Sequence, residues 1–135
     1  EKSLWHFSMP ELQLKIETGR RKNMVVRDFA EQMGMKILTG DAGTEKEITG
    51  IYACDLLSWV MSHASTGDAW VTVQSHINTI AVALLSGISC IILPEGINAE
   101  ESTISKAKQE GIAVLSTEMT TYEVCCRSRE VLSRA

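Results

Sequence analysis

Three consecutive units, each an apolar run followed by a helix-like segment, fill the second half of the chain and constrain its fold more than any other feature. AWVTVQ precedes INTIAVALLSG, SCIILPEG precedes AEESTISKAKQEG, and IAVLST precedes TTYEVCCRSREVLSRA. Strands that alternate with helical segments of about ten residues or more are typical of a mostly parallel sheet with right-handed crossovers. The runs IILP and IAVL are apolar throughout, as expected of strands covered on both faces. The sequence therefore predicts an α/β fold.

The residues before these units add further strands and helices. VVRDFAEQMG has apolar residues at helical spacing and ends on Gly34, which suits the left-handed conformation of a helix C-terminus. MKILTG predicts a short strand, and the segment from Ile48 to Cys54 predicts a second one. Asp55 is a candidate N-cap for the helix in DLLSWVMSHA. We expect a single domain with a mostly parallel sheet of about four to five strands and helices on both faces.

The composition of the helices indicates which of them are buried. INTIAVALLSG is apolar almost all round, which predicts a buried helix or one at a subunit interface. ESTISKAKQE is polar on most of its surface and should face water. The methionines and Trp59 at helical spacing are candidates for the core, and the adjacent Cys125 and Cys126 are expected to be thiols packed on a helix.

Residues 1–23 differ in pattern from the rest. Leu12, Leu14 and Ile16 alternate with polar residues as in a half-buried strand, yet Pro10 interrupts the run and Gly19 to Lys22 resembles a linker. We expect residues 1–23 to be an N-terminal extension, either of artificial origin, a remnant of an upstream domain or an added edge strand. Residues 24–135 form the predicted α/β domain.

Charge and composition exclude several classes of protein. The net charge is −4, and the first 23 residues contribute +2 (five basic, three acidic), so residues 24–135 carry −6 (eight basic, fourteen acidic). This balance argues against nucleic-acid binding, which depends on Lys and Arg. The longest apolar runs, such as Ile77 to Leu85, are shorter than the roughly 20 residues of a membrane span. We therefore expect no nucleic acid and no membrane among the partners.

The cysteines and the N-terminus bear on location. The four cysteines form no C-x-x-C pair and no cluster of zinc-ligand spacing, and no signal peptide is visible. A reducing cytoplasm is the expected location. We predict no metal site.

Polar residues follow the predicted strands at one edge of the sheet. In an open parallel sheet, ligands bind outside the carboxyl ends of the strands. Gln74-Ser75-His76, Pro94-Glu95-Gly96 and Ser116-Thr117 should all emerge there, and Asp55 could join them. Each also has a structural alternative, because Ser75 or Asn78, and Thr117 or Thr120, could cap helices and His76 could be structural.

Motifs of the common catalytic classes are absent from the sequence. It has no phosphate-binding G-x-x-x-x-G-K-[ST], no G-x-G-x-x-G after a strand, no G-x-S-x-G and no H-E-x-x-H. We therefore expect neither a P-loop kinase nor any cofactor.

The segment from Thr44 to Gly96 resembles the DRTGG domain family, and the resemblance runs from about Met24 to the C-terminus. It is carried by Ile48-Thr49-Gly50, Asp55-Leu56-Leu57-Ser58, Gly67-Asp68, the strand from Trp70 to Gln74 with His76-Ile77-Asn78, and the ending from Gly111 to Thr117. The motif that names the family aligns with Glu47-Ile48-Thr49-Gly50-Ile51, so the central Thr-Gly pair is retained and Ile51 replaces the second glycine. The chain is most similar to small stand-alone members encoded near iron-only hydrogenase genes, and the fold is similar to the N-terminal domain of HPr kinase/phosphorylase.

The resemblance implies a non-catalytic regulatory or assembly module, often dimeric, since such domains accompany nucleotide-binding CBS domains in regulated pyrophosphatases. We predict a homodimer that binds a small anionic effector, a nucleotide or a protein partner, with a link to hydrogenase or redox metabolism. The predicted ligand-binding residues are Thr49, Gly50, Asp55, Gln74, His76 and Thr117. Two alternatives stay open: a small enzyme in which Asp55 orients His76 as acid or base, and a dimerisation domain without a ligand.

Overall fold

The computed structural model describes residues 23–134, and the strand pattern predicted around Leu12 to Ile16 lies outside them. The described chain contains these elements in order: β1 Met24–Val25, α1 Val26–Met33, β2 Lys36–Ile37, β3 Glu47–Ile48, β4 Gly50–Ala53, α2 Leu57–His63, β5 Asp68–Val71, α3 Asn78–Ser86, β6 Cys90–Leu93, α4 Glu101–Glu110, β7 Ala113–Ser116 and α5 Thr121–Ser133. Among residues 23–134, no helix is both long and apolar enough to cross a membrane.

The main sheet has five strands in the order β2-β7-β6-β5-β4. Strands β4 to β7 are parallel and neighbour one another in chain order, with Tyr52 opposite Trp70 and Ile91 opposite Val114. The short β2 pairs antiparallel with β7, so that Lys36 lies opposite Ser116. Strands β1 and β3 form a separate antiparallel pair. The predicted α/β class and mostly parallel sheet are confirmed.

Helices cover both faces of this sheet. Right-handed crossovers between consecutive neighbours place α2, α3 and α4 on one face, where their buried residues pack with Trp70. The first helix and the last cover the other face, where Phe29 and Val124 pack with Val71 and Leu115. Successive residues of β5 thus point to opposite layers, as the pleat requires.

Two helix ends follow the sequence signals. Gly34 ends α1 in the left-handed conformation (φ 69°), and its N–H bonds back to the carbonyls of Ala30 and Glu31. Thr120 begins α5 in a capping box: its hydroxyl accepts from the N–H of Glu123, whose carboxylate accepts from the N–H of Thr120. The alternative in which Thr117 caps this helix is wrong.

Several predicted core residues lie at the surface. Met24, Met33 and Met35 are buried, but Trp59 on α2 is 51% exposed and Met61 is 49% exposed. The reason is that α2 has only seven residues and turns a single one, Val60, fully inward. The helix α3 is likewise only partly buried, since Thr79, Ile80, Val82 and Ala83 face the sheet while Leu85 is 75% exposed.

The two adjacent cysteines of α5 differ in their exposure to solvent. Cys125 is half-buried and Cys126 is exposed, so the expectation of two packed thiols holds only for the first. Burial and the neighbouring Cys126 raise the pKa of Cys125.

Candidate functional site

Four of the six predicted site residues lie where the parallel strands end. Asp55 follows β4, Gln74 and His76 follow β5, and Thr117 follows β7. Because these strands are parallel neighbours, their carboxyl ends share one edge of the sheet, which we call the carboxyl edge.

Asp55 joins the ends of β4 and β5. Its Oδ1 accepts hydrogen bonds from the Thr72 hydroxyl at 2.8 Å and from the N–H of Val73 at 2.9 Å. The Gln74 amide donates to the backbone carbonyl of Asp55 at 3.0 Å. The predicted role of Asp55 as a helix cap is therefore wrong: α2 begins at Leu57, with Leu56 in the N-cap position and no side-chain cap. A carboxylate used by a neighbouring loop is not available to the helix start.

His76 is exposed and bonds to its own loop. Its Nδ1 accepts from the N–H of Asn78 at 3.2 Å, and its carbonyl accepts from the Thr79 hydroxyl at 2.9 Å. Neither Ser75 nor Asn78 caps α3 with its side chain, so both capping alternatives are wrong. Within the described chain His76 forms no hydrogen bond with Asp55, and the acid–base pair of the enzyme alternative is not assembled.

Thr117 is nearly buried and fixes the turn after β7. Its hydroxyl accepts from the N–H of Met119 at 3.1 Å, and its carbonyl accepts from the N–H of Gly96 at 2.9 Å. The N–H of Glu95 donates to the carbonyl of Met119, so the loops after β6 and β7 are held together. Glu95 has a φ of 55°, the one positive φ outside glycine between residues 23 and 134. At the carboxyl edge, polar groups thus connect loops to one another.

Thr49 and Gly50 lie at the opposite edge of the sheet, where the parallel strands begin. The N–H of Thr49 donates to the carbonyl of Gly67, and the N–H of Gly67 donates to the carbonyl of Gly87. A Cβ on Gly67 would collide with the Thr49 hydroxyl, and a Cβ on Gly50 would lie 2.8 Å from Oδ1 of Asp68. The Thr-Gly pair therefore packs against the Gly67-Asp68 turn, and the six predicted residues form two groups rather than one.

Ile51, in place of the second glycine of the motif, is an ordinary strand residue. It lies within β4 opposite Ala69 and packs against the core. Because it does not have a positive φ, a β-branched residue fits here without backbone strain.

A cavity of about 460 Å³ opens at this second edge, which we call the amino edge. Its lining combines two charged residues, three hydroxyls and a mainly aliphatic wall: Lys46, Glu47, Thr49, Thr66, Gly67, Ala83, Leu84, Gly87, Ile88, Ser89 and Ile112. Of the predicted site residues only Thr49 belongs to it. The remaining lining residues were not predicted, because they lie at the starts of strands and around the ends of helices, whereas the rule for parallel sheets points to residues that follow strands.

Several charges and dipoles act at the amino edge. Burial raises the pKa of the Cys90 thiol to about 12, and the positive charge of Lys46 partly opposes this rise. Burial raises the pKa of Asp68, while the hydrogen bond from the N–H of Ser65 lowers it. Among residues 23–134 Lys46 forms no ion pair. The helix α3 ends at Gly87 beside the cavity, where the carbonyls of Ala83 and Leu84 accept from the N–H of Gly87 and the carbonyl of Gly87 accepts from the N–H of Gly67.

No group of three His, Cys, Asp or Glu side chains in the described range is arranged to hold a metal ion. Hydroxyls, the Lys46 ammonium and the Glu47 carboxylate at the cavity instead offer hydrogen bonds and one charge of each sign. These contacts are suited to binding a small molecule.

The fold and these edges define a class: a parallel α/β domain with loops tied together at the carboxyl edge and an open cavity at the amino edge. The DRTGG domain model matches residues 28–131, and the chain belongs to the DRTGG domain family. The resemblance inferred from the sequence is thus confirmed.

One solved structure with a similar fold is the crystal structure of the CBS and DRTGG domains of the regulatory region of Clostridium perfringens pyrophosphatase, complexed with the activator diadenosine tetraphosphate. The TM-score is 0.63 at 14% sequence identity, and the match covers 77% of this chain and 45% of that chain. This chain thus matches less than half of that protein, and the likeness concerns the fold. No curated protein matches the sequence.

Proposed function

We propose that this chain is a non-catalytic regulatory module that self-associates and binds a small anionic effector, a nucleotide being the first candidate, in the cavity at the amino edge. The observation that carries the proposal is the cavity itself, which has Thr49 of the family motif in its wall and Lys46 beside it. Its volume of about 460 Å³ falls within the range of small-molecule sites.

The lining indicates what kind of effector fits. Lys46 offers a positive charge to an anionic group, and Thr49, Thr66 and Ser89 contribute hydroxyls. The Ser89 hydroxyl already donates to the carbonyl of Glu47, and that of Thr49 donates to the carbonyl of Thr66 at 3.4 Å. The Glu47 carboxylate offers an acceptor to donors on the ligand. A nucleotide combines a phosphate with amino and hydroxyl donors, which is the combination these groups recognise.

The similar pyrophosphatase region supports the choice of nucleotide. That structure contains CBS and DRTGG domains together with a dinucleotide activator. A module of the same fold in this chain would respond to an effector in the same chemical class.

The carboxyl edge is the second candidate location for the effector. Asp55, Gln74 and Thr117 use their polar groups to hold loops, so His76 is the residue there whose exposed ring could contact a ligand. The link to hydrogenase or redox metabolism, and a protein partner, stay predictions of the sequence resemblance.

Nucleotide binding is tested by calorimetry and thermal unfolding of the full chain with AMP, ATP and diadenosine tetraphosphate. At a ligand concentration of ten times Kd, binding to the native state adds about 1.4 kcal/mol and raises Tm by about 5 °C. Replacing the lysine by a neutral side chain, Lys46→Gln, should weaken binding about tenfold or more because a charge-assisted contact is lost.

The matched control is Lys108→Gln, which removes the same charge from the solvent side of α4. It should leave nucleotide affinity unchanged. Absence of a Tm shift with all three nucleotides would overturn the nucleotide proposal. Loss of affinity in His76→Ala with none in Lys46→Gln would move the site to the carboxyl edge.

A further inference from the structure

The segment that contains α2 and α3 is almost free of charge. Between Asp55 and Glu95 the sequence holds one acidic residue, Asp68, and no lysine or arginine. Asp68 is buried at the start of β5, so no Asp, Glu, Lys or Arg lies on either helix. The other helices differ: α1 carries three such residues, and α4 and α5 carry four each.

The same two helices expose large apolar side chains. Leu56, Trp59 and Met61 on or beside α2, and Leu84 and Leu85 on α3, are between 43% and 75% exposed. The two helices pack against one another on one face of the sheet. We call these five residues the α2–α3 surface. The Trp59 ring stacks on that of His63, with centroids 3.9 Å apart, which holds the aromatic side chain in place.

Both properties are those of the central part of a protein interface. Interface centres are depleted of charge and enriched in aromatic residues and methionine. Large apolar side chains exposed together on neighbouring helices mark interaction sites on soluble domains. An ordinary solvent-facing helix carries charged residues on its outer side, as α4 does.

We infer that a second copy of this chain covers the α2–α3 surface, in a two-fold dimer. This names the interface for the self-association half of the proposed function, and Leu84 is the residue of this surface that also lines the amino-edge cavity. In a two-fold contact the same patch meets itself, so any charge near the axis would face a like charge. Residues 24–135 carry −6 overall, and contact through the α2–α3 surface keeps the charged side chains of the two copies apart, at distances where salt screens their repulsion.

Charge also argues against two other occupants, a basic partner and a membrane. A basic partner would be attracted to the acidic parts of the surface rather than to uncharged helices. A membrane-binding helix carries Lys and Arg on its polar side to meet anionic lipids, and α2 and α3 have neither.

The test is the molar mass of the full chain in solution, measured by light scattering during size-exclusion chromatography over a range of concentrations. The wild-type chain should have twice the subunit mass of 14.9 kDa, or about 30 kDa. Leu85→Glu introduces a charge at a position that is 75% exposed in the monomer, so the fold should be kept. It should raise the dimer dissociation constant about 100-fold or more and yield a monomer.

Tyr122→Glu is the matched control, since Tyr122 is 77% exposed and lies on α5, in the opposite layer. It should remain dimeric. Leu85→Lys changes the net charge in the opposite sense and should also be monomeric, which separates interface burial from overall repulsion. Circular dichroism checks that each variant is folded.

A monomeric wild-type chain, or a dimer that survives both Leu85 variants, would overturn the inference. In a monomeric wild-type chain, the α2–α3 surface would have to be covered by residues 1–22 or by another protein. A monomeric Leu85→Glu that still shows a nucleotide-dependent Tm shift would support this interface whatever the fate of the effector site. A dimer that shows no Tm shift with nucleotides would contradict only the effector-binding part of the proposed function.

Discussion

The two helical layers of this domain bury their apolar residues in different ways. In the layer of α1 and α5, α1 turns Val26, Phe29, Ala30 and Met33 inward and keeps its charges outside, and Tyr122 on α5 is exposed. In the other layer, α2 turns one residue inward and exposes Trp59, while α3 exposes Leu85. The helices α1, α2 and α3 are of similar length. The outer side of α1 is charged and suited to water, whereas the outer sides of α2 and α3 are apolar and suited to another protein.

The difference teaches that apolar content alone does not define the core of a small domain. Both layers contain apolar residues at helical spacing, and the absence of Asp, Glu, Lys and Arg distinguishes α2 and α3 from α1, α4 and α5. Where a helix lacks charge on its outer side, the apolar residues there are available for assembly.

The largest expected effect compares one aromatic residue from each layer. Phe29→Ala removes a fully buried ring and should cost about 3–5 kcal/mol of unfolding free energy. Trp59→Ala should cost less than about 1 kcal/mol in the monomeric Leu85→Glu background, where no partner covers the ring. Urea unfolding of each variant measures both. A loss from Trp59→Ala as large as that from Phe29→Ala would show that α2 is packed within its own chain.

A smaller effect concerns how the helices begin. Thr120→Ala removes the capping box of α5 and should cost about 1 kcal/mol. Thr120→Ser keeps the hydroxyl and should restore most of that loss. The corresponding position of α3 is Ile77, whose side chain makes no capping hydrogen bond. Ile77→Ala should therefore lose only the stability that the buried part of the Ile77 side chain contributes. Thermal unfolding distinguishes these outcomes, and equal losses for Ala and Ser at position 120 would refute the capping role.

The smallest effect depends on pH and on the single acidic residue of the charge-poor segment. Burial raises the pKa of Asp68 above its usual 3.8, so the folded state favours the protonated carboxyl. The contribution of this group to stability is therefore fully present below the unfolded pKa and is lost as pH rises through the folded pKa. Asp68→Asn stays neutral and can still accept the N–H of Ser65.

The stability of Asp68→Asn relative to wild type should thus increase as pH rises from below 3.8, the usual pKa of the group, through the raised pKa of the folded state. Asp41→Asn, at an exposed position, is the control for the loss of one negative charge. Urea unfolding at a series of pH values measures the difference. A relative stability that is flat or falls with pH would mean that burial does not control this carboxyl.

Local features of the structure could be predicted from the sequence, and contacts between distant residues could not. The alternation of apolar strands with helices predicted the sheet, and the local signals at Gly34 and Thr120 predicted helix ends. The prediction that Asp55 caps a helix was wrong because its side chain bonds to Thr72, which follows the next strand, and no local sequence pattern reveals that bond. The amino-edge cavity was missed because Lys46 and Thr66 meet only through the tertiary fold.

Apolar periodicity also has a limit of its own. The spacing of Trp59 on α2 and Leu85 on α3 correctly marks apolar helix surfaces. Periodicity cannot tell whether the chain itself or a partner covers such a surface, since both remove it from water by the same physical effect.

The antiparallel strand β2 has a consequence for the order in which the sheet can form during synthesis. Lys36 and Ile37 leave the ribosome early, yet their partner β7 follows nearly all the rest of the domain. Until residues 113–116 emerge, β2 has no neighbour and β6 is an open edge. The nascent chain therefore holds most of a parallel sheet that its last strand must close, and ribosome-bound chains that stop before β7 should be the forms most in need of chaperones.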